Sequence, residues 1–196
     1  MRVVAGAYGG RRLRVPHGRA TRPTSDRVRE ALFSTLGETV LGAHVLDLFA
    51  GSGALGIEAL SRGAADAVFV ERDPATAAVL RANLADLGIS AATYVGDVRR
   101  FVRDLPHTTP VFDLVLCDPP YKLSSDEVAA LLGDLARSGH VSANATMVAE
   151  RARHGEALTV PEQELHVADV RTYGDTVLYY VRCGPLVHDG GLAAHE

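Results

Sequence analysis

The sequence is poor in cysteine, with only Cys117 and Cys183 among its 196 residues. Neither cysteine belongs to a Cys-x-x-Cys motif or lies at metal-ligand spacing from a histidine. We therefore interpret both as reduced thiols in a reducing compartment rather than as a disulfide. The eight histidines are scattered as well, so the sequence predicts no metal site.

Long hydrophobic runs are also missing. No apolar stretch approaches the ~20 residues that span a bilayer, and the N-terminus lacks the apolar core of a signal peptide. These absences predict a cytoplasmic protein. A chain of 196 residues with 47% hydrophobic side chains can nevertheless bury a core of its own without a metal or a disulfide.

Lysine is nearly absent, since Lys122 is the only one, and arginine is concentrated at the N-terminus. Residues 1–30 contain eight arginines and two acids, a net charge of +6, whereas residues 31–196 contain 12 basic and 22 acidic groups, a net charge of −10. This asymmetry predicts that the N-terminal segment binds nucleic acid, although the whole chain carries −4. The alternative is a solvated arm without a partner.

Short β-rich runs alternate with helical stretches from residue 44 to residue 150, which predicts βαβ crossovers and a mostly parallel sheet. Two further β-rich runs meet at Gly174-Asp175 and predict an antiparallel C-terminal hairpin that closes this sheet. The predicted strands span residues 44–49, 67–71, 91–95, 112–117, 145–150, 165–173 and 176–182, and the predicted helices span residues 54–62, 74–87, 98–105 and 125–137.

A small arm precedes the sheet. Residues 2–5 and 12–15 are predicted to pair through a Tyr-Gly-Gly turn, and residues 26–36 place apolar side chains at helical spacing after Ser25, a plausible helix cap. We therefore predict an arm of hairpin plus helix over residues 1–36, a main domain over residues 37–183 and a flexible tail over residues 184–196.

Residues 47–56 read Asp-Leu-Phe-Ala-Gly-Ser-Gly-Ala-Leu-Gly, a Gly-x-Gly-x-x-Gly motif between a strand and a helix. Glu71 follows Gly51 by 20 residues, the spacing at which an acid binds the hydroxyls of a ribose. NAD and S-adenosylmethionine both carry such a ribose. Asp47 favours the second, because a carboxylate there repels a pyrophosphate but suits an ammonium group. Asp97 is placed to accept from the adenine amino group, to cap the next helix, or both.

The apolar run 112–117 leads directly into Asp118-Pro119-Pro120-Tyr121. This position is the carboxyl end of a strand, where open α/β sheets bind ligands. The two prolines remove backbone donors and fix φ, so the carbonyl groups are held stiffly. A carboxylate, rigid carbonyls and an aromatic ring together suit a flat base with an exocyclic amino group. A plain strand-ending turn is the alternative.

These motifs together resemble the methyltransferases that act on exocyclic amines of bases. Residues 22–33, Arg-Pro-Thr-Ser-Asp-Arg-Val-Arg-Glu-Ala-Leu-Phe, are similar to the signature of bacterial 16S rRNA guanine-N2 methyltransferases of the RsmD type. So is the opening Arg-Val-Val-Ala-Gly of residues 2–6, followed by Gly-Arg-Arg-Leu at residues 10–13. The resemblance covers roughly residues 1–182.

The resemblance implies a Rossmann-like α/β sheet that binds S-adenosylmethionine, and methyl transfer to the N2 of a guanine in 16S rRNA, guanine 966 in the family. The implied partner is the small ribosomal subunit or its precursor. The implied catalytic residues are Asp118, Pro119, Pro120 and Tyr121. The candidate cofactor-binding residues are Asp47, Phe49, Ala50, Gly51, Ser52, Gly53, Glu71, Asp97, Thr24 and Asp26, and the charge pattern adds Arg11, Arg12, Arg14 and Arg22 as candidate RNA-binding residues.

Three other functions stay open at this point. A DNA adenine-N6 methyltransferase would use the same tetrapeptide, although the chain leaves little room for a DNA-reading domain. An NAD-dependent dehydrogenase is disfavoured by Asp47 and by the lack of a proton-relay histidine near a strand end. A ribosome-binding factor without catalysis would retain the cofactor fold.

Overall fold

A computed structural model of the chain describes residues 1–16, 25–106 and 108–184. Within these ranges, no helix is long and apolar enough to cross a membrane. The strands are β1 (His44–Leu48), β2 (Asp66–Glu71), β3 (Ala92–Val95), β4 (Phe112–Cys117), β5 (Val141–Ala152), β6 (Leu165–Tyr173) and β7 (Thr176–Cys183). The helices are α1 (Asp26–Leu36), α2 (Ala54–Ser61), α3 (Pro74–Leu87), α4 (Val98–Arg103) and α5 (Ser125–Arg137), and a single 3-10 turn (Gly37–Val40) follows α1.

The seven strands form one sheet in the order β3-β2-β1-β4-β5-β7-β6. Strands β1 to β5 are parallel, and β7 runs antiparallel to both β5 and β6. This arrangement confirms the predicted mostly parallel sheet with a C-terminal antiparallel hairpin. The chain runs outward from β1 to β3 and then returns to β4 on the other side of β1. That reversal is the switch point at which such sheets bind ligands.

Two apolar clusters fill the space above and below the sheet. One joins the alternate β4 residues Leu114 and Leu116 to side chains of α1, α2 and α3. The other joins Val115 and Cys117 to side chains of α4 and α5. Because helices cover both faces of the sheet, the central strands have largely continuous apolar sequences rather than an alternation of apolar and polar residues.

Local capping signals account for the helix ends that the sequence predicts correctly. The Ser25 hydroxyl accepts the Val28 N–H at 3.2 Å at the start of α1. Asp73 caps α3, which has Pro74 in its first turn and ends at Gly88 with φ +69°. Ser124 and Glu127 form a reciprocal capping box at the start of α5.

Several predicted boundaries differ from the structure. Strand β5 extends from residue 141 to residue 152 instead of 145 to 150, because Val141 pairs with Phe112 of β4 and β7 pairs as far as Ala152 opposite Thr176. Strand β1 ends at Leu48 rather than at residue 49, since Phe49 has φ +60° and leaves the strand. Helix α4 ends at Arg103, two residues before the predicted end.

The two halves of the N-terminal hairpin pair antiparallel, as predicted, but over fewer residues than predicted. Its only described bridge is the antiparallel pair Arg2 and Arg12. Extended strands do not form because the N–H groups of Val4 and Ala5 point to the α2 side chain of Glu58, at 2.7 and 3.0 Å, instead of across the hairpin. The arm is therefore fastened to the body of the protein.

The backbone of the arm also contacts the end of α2. The Ala7 N–H donates to the Ser61 carbonyl at 2.7 Å. A Cβ atom on Gly6 would lie 1.8 Å from that same carbonyl oxygen, and Gly6 has φ +81°, so only glycine fits this approach. Val3 and Leu13 are buried in the cluster that contains α1.

Candidate active site

The turn between β1 and α2 has an unusual backbone. Phe49 is the only described non-glycine residue with a positive φ, and Gly51 and Gly53 have φ of +57° and +83°. Such conformations are strained for residues with a Cβ and concentrate at ligand sites. A Cβ on Gly51 would meet only the Phe49 carbonyl, at 3.9 Å, so this part of the turn faces open space.

The remaining glycines of the motif serve packing. A Cβ on Gly53 would lie 2.2 Å from a methyl carbon of Leu80, and one on Gly56 would lie 2.3 Å from the ring of Phe69. These two positions bring α2 close to the sheet and to α3. Of the three glycines, only Gly51 therefore leaves room for a ligand to approach the backbone.

The other predicted residues of the turn are also held by the protein. The Ala50 N–H donates to the Val70 carbonyl at 2.9 Å. The Ser52 carbonyl accepts from the Asn83 side chain of α3 at 2.9 Å, and the Ser52 side chain is buried. The turn is thus fixed from β2 on one side and from α3 on the other.

Glu71 lies at the end of β2 and is 6% exposed. Its Oε2 accepts the Gly51 N–H at 3.0 Å, and its Oε1 accepts the Asp73 N–H at 2.8 Å. The carboxylate predicted to bind a ribose therefore also holds the glycine turn in place. A carboxylate has about four acceptor positions, so two remain for a ligand.

Asp47 is buried in β1, and its Oδ2 accepts the Gly56 N–H at 2.8 Å. Burial raises the pKa of Asp47 to about 7; the Gly56 N–H opposes this rise, and the charge of Glu71 adds to it. A carboxyl group with this pKa is only partly ionised at neutral pH. A cation placed beside it would favour the ionised form.

Asp97 precedes α4 and caps it. Its Oδ1 accepts the N–H groups of Arg99 at 2.9 Å and Arg100 at 3.2 Å. The capping role is confirmed. The other predicted role of Asp97, accepting from an adenine amino group, stays a prediction.

The Asp118–Tyr121 tetrapeptide follows β4 without a break. Pro119 is buried, whereas the Tyr121 side chain is 55% exposed. The Leu123 N–H donates to the Pro120 carbonyl at 2.9 Å and closes a turn around Tyr121. An exposed ring on a closed turn is suited to stacking against a base.

Cys117 lies directly before the tetrapeptide but is buried. Burial, with the charge of Asp118 adding to it, raises the pKa of the Cys117 thiol well above its usual range. The thiol is therefore protonated and unreactive, as expected for a side chain in the apolar cluster beside β4. Among the described residues, no group of His, Cys, Asp and Glu side chains could hold a metal ion.

The sheet order brings the predicted residues to one edge. Because β3, β2, β1 and β4 are neighbours and parallel, their carboxyl ends lie side by side. Asp97, Glu71, the glycine turn and Asp118 lie at or directly after these four ends, in that order. Arg22 and Thr24 lie outside the described residues.

The N-terminal arginines do not form one free surface. Arg14 pairs with the Asp86 carboxylate at 2.8 Å, and Arg11 donates to the Asp86 carbonyl at 2.9 Å. Arg12 is exposed and has no ion pair within the described ranges. Arg29, which counts toward the N-terminal charge, is fully buried.

Asp26 begins α1 and lies between two arginines. Its Oδ1 accepts from Arg29 Nη2 at 3.0 Å, and its Oδ2 lies 3.8 Å from Arg2 Nε. These contacts join the start of α1 to the first residues of the chain. The predicted contact of Asp26 with a cofactor stays a prediction.

Sequence reasoning missed the buried acid Glu58. It accepts from Arg62 Nε at 2.8 Å as well as from the arm, and it lies 3.5 Å from Arg29 Nε. The available signal was a single acidic residue in an otherwise apolar helix, since α2 reads Ala-Leu-Gly-Ile-Glu-Ala-Leu-Ser.

Comparisons with known proteins agree with this geometry. Residues 1–182 match the family described as conserved hypothetical protein 95. The chain is 39% identical over 165 residues to ribosomal RNA small subunit methyltransferase D of Escherichia coli, covering 82% of this chain and 79% of that protein. It is 36% identical over 161 residues to the protein of the same name from Haemophilus influenzae, covering 81% and 82%.

Solved structures give the same result. The Escherichia coli protein yhhF superposes with a TM-score of 0.80 at 34% identity, covering 94% of this chain and 98% of that one. A hypothetical protein of Thermus thermophilus superposes with a TM-score of 0.76 at 32% identity, covering 92% and 98%. The chain therefore belongs to the conserved hypothetical protein 95 family of RsmD-type methyltransferases.

Proposed function

We propose that this methyltransferase transfers a methyl group from S-adenosylmethionine to the exocyclic N2 of a guanine in 16S rRNA. The observation that carries this proposal is the alignment of four strand ends along one edge of the sheet. The glycine turn held by Glu71 lies beside the Asp118–Tyr121 turn, so a nucleoside ligand and a target base would meet there.

The residues at this edge fit S-adenosylmethionine. Glu71 offers its remaining acceptor positions to a ribose, and Gly51 leaves room for a ligand against the turn. Asp47 has a buried carboxyl group with a raised pKa, and an adjacent ammonium would stabilise its ionised form. Asp97 has a second oxygen beyond the one that caps α4, and this oxygen is available for an adenine amino group. Phe49, Ala50 and Ser52 shape the turn that contacts the ligand.

S-adenosylmethionine supplies an electrophilic methyl group when it is bound. Asp118 and the Pro119 carbonyl each accept one N–H of the guanine amine and orient its lone pair. They also stabilise the positive charge that develops on nitrogen during transfer, and such preorganised electrostatics is usually the largest catalytic contribution. The methylated amine then loses one proton, which the Asp118 carboxylate accepts. Tyr121 stacks on the base, a contact worth about 1–3 kcal/mol.

The base must be unpaired or flipped out to reach this edge, at a cost of a few kcal/mol. In the proposed division of the chain, residues 1–36 form the RNA-binding arm and residues 37–183 the catalytic domain. Of the described candidate RNA-binding residues Arg11, Arg12 and Arg14, Arg12 is the best placed to bind phosphate, because Arg11 and Arg14 are engaged by Asp86. Arg22 keeps the RNA-binding role proposed from the charge pattern, and Thr24 keeps the cofactor-binding role that the resemblance implies. The proposed partner is the small subunit or its precursor.

The test incubates the purified protein with radiolabelled S-adenosylmethionine and unmodified small subunits, with free 16S rRNA and genomic DNA as parallel substrates. We expect label in N2-methylguanosine after nuclease digestion of the small-subunit RNA. Label in N6-methyladenine of DNA would overturn the proposal in favour of a DNA methyltransferase. Stable binding to the subunit without any label would favour a ribosome-binding factor.

A further inference from the structure

Arg151 is a buried arginine near the end of β5, next to the Asp118–Tyr121 turn. The residue is 7% exposed. Strand β5 lies beside β4, and the register Cys117 opposite Ala149 places Arg151 two residues beyond that pair. Arg151 therefore lies alongside the point at which β4 gives way to the tetrapeptide.

Among the described residues, the Arg151 guanidinium makes one hydrogen bond to the loop between β4 and α5. Its Nη2 donates to the Leu123 carbonyl at 2.6 Å. Leu123 also closes the turn around Tyr121 through its N–H, which donates to the Pro120 carbonyl. One residue thus connects Arg151 to the turn that presents the aromatic ring.

The loop has fixed points on either side of this contact. Before it, Cys117 is buried in β4. After it, the Ser124 N–H donates to Glu127 Oε2 at 2.9 Å in the capping box of α5. The contact of Arg151 with Leu123 fixes the part of the loop between these two points.

Stability does not explain an arginine at this position. Arg151 Nε and Nη1 are buried and have no hydrogen-bond partner among the described residues. A buried donor without a partner costs about 1–3 kcal/mol. A buried charge that forms no ion pair among the described residues is also less favourable for stability than an apolar side chain of the same size. Such groups in native proteins call for a functional explanation.

We propose that Arg151 is a positioning residue for methyl transfer, which fixes the Pro120–Leu123 turn and with it the Tyr121 ring. The inference rests on the proposed function, since it requires that the turn hold the target base. Arg151 acts through the Leu123 carbonyl and does not itself contact the base. Its role is to keep the loop in a single arrangement when the base enters.

The test compares Arg151→Met, which retains volume but no donors, with Arg151→Lys, which retains the charge and a hydrogen-bond donor. Arg182→Met is the matched control, because Arg182 also donates to a backbone carbonyl, that of Asn144 on β5, but is exposed. Each protein is assayed for its melting temperature, S-adenosylmethionine affinity, and kcat and KM on unmodified small subunits. Amide hydrogen exchange is followed separately in peptides covering residues 118–124 and 125–137.

We expect Arg151→Met to reduce kcat at least tenfold, with cofactor affinity and KM within about threefold and the melting temperature unchanged or higher. Exchange should quicken in residues 118–124 but not in 125–137, and Arg151→Lys should recover part of kcat. Wild-type kcat in Arg151→Met would overturn the inference, as would a lower melting temperature with unchanged kcat per folded molecule. If the wild type labels no small-subunit RNA, the proposed function itself fails, and this inference fails with it.

Discussion

Arg29 and Glu58 form an ion pair inside the protein, with Arg29 Nε 3.5 Å from Glu58 Oε2 and both side chains fully buried. Arg29 also donates to the Arg2 carbonyl through Nη2. The pair therefore joins three segments, the first residues of the chain, α1 and α2. Because α2 begins at the glycine turn, the arm and the glycine turn are parts of one packed unit.

Breaking this pair should destabilise the protein. Glu58→Gln retains the size of the side chain but leaves the buried Arg29 guanidinium without its buried carboxylate, which costs about 3–5 kcal/mol. The measurement is urea denaturation. Glu38→Gln is the control, since Glu38 is exposed in the 3-10 turn and its replacement should have almost no effect. A loss below about 1 kcal/mol for Glu58→Gln would contradict the importance of the pair.

Arg12 should contribute to RNA binding through phosphate. Arg12→Ala should flatten the dependence of log Kd on log salt by about 0.7–0.9, because one fewer counterion is released on binding. Arg14→Ala should change the slope less, since Arg14 already pairs with Asp86. Deletion of the whole arm is a poor test, because it removes Val3 and Leu13 from the core. An unchanged slope in Arg12→Ala would assign RNA binding to other residues.

Replacing Glu71 should weaken cofactor binding and also destabilise the fold. Glu71→Ala should weaken S-adenosylmethionine binding by one to two orders of magnitude, since charge-assisted hydrogen bonds are worth about 1.5–3 kcal/mol. It should also lower the melting temperature, because the N–H groups of Gly51 and Asp73 lose their acceptor. Calorimetry and thermal denaturation measure the two effects. Tight NADH binding by the wild type would contradict the cofactor assignment.

Asp47 should make cofactor binding depend on pH. The ammonium of a bound methionine moiety favours the ionised carboxylate, so affinity should rise as the pH increases through the Asp47 pKa of about 7. Asp47→Asn should weaken binding and remove this dependence. Calorimetry at several pH values on either side of neutrality measures it, and a wild-type affinity that stays constant across this range would contradict the prediction.

The same carboxyl group should influence stability in the opposite direction. The pKa of Asp47 is higher in the folded protein than its ordinary value of 3.8, so the folded state binds more protons between pH 3.8 and about 7. The contribution of Asp47 to stability is therefore present at low pH and is lost as the pH rises through about 7. Asp47→Asn should consequently stabilise the cofactor-free protein at a pH above this pKa, as measured by urea denaturation.

Substitutions in the Asp118–Tyr121 turn should reduce methyl transfer without weakening cofactor binding. Asp118→Ala should abolish turnover while cofactor affinity stays within several-fold of wild type, because its proposed contacts are with the base. Tyr121→Phe should be mild and Tyr121→Ala severe, since stacking needs the ring and not the hydroxyl. Single-turnover rates and calorimetry measure both effects. Equal losses in the two tyrosine variants would assign the role to the hydroxyl instead.

Much of the fold could be predicted because its signals are local. The predicted ends of α1, α3 and α5 are correct to the residue, since a cap, a proline or a terminal glycine stands at each of them. The predicted ends of β5 and α4 are wrong. Strand length depends on the partner strand, and β7 extends β5 at its carboxyl end.

The sequence by itself determined which residues form the candidate site, because the glycine turn, Glu71, Asp97 and the tetrapeptide each follow a predictable strand. Only the tertiary structure decided which charges are buried. Arg29 and Arg12 are indistinguishable in a count of charges, yet one is enclosed by α2 and the other is exposed. Likewise, burial raises the pKa of Asp47 and encloses the Arg151 donors that have no partner among the described residues. Burial depends on contacts between segments that are distant in the chain, and a local sequence pattern does not predict these contacts.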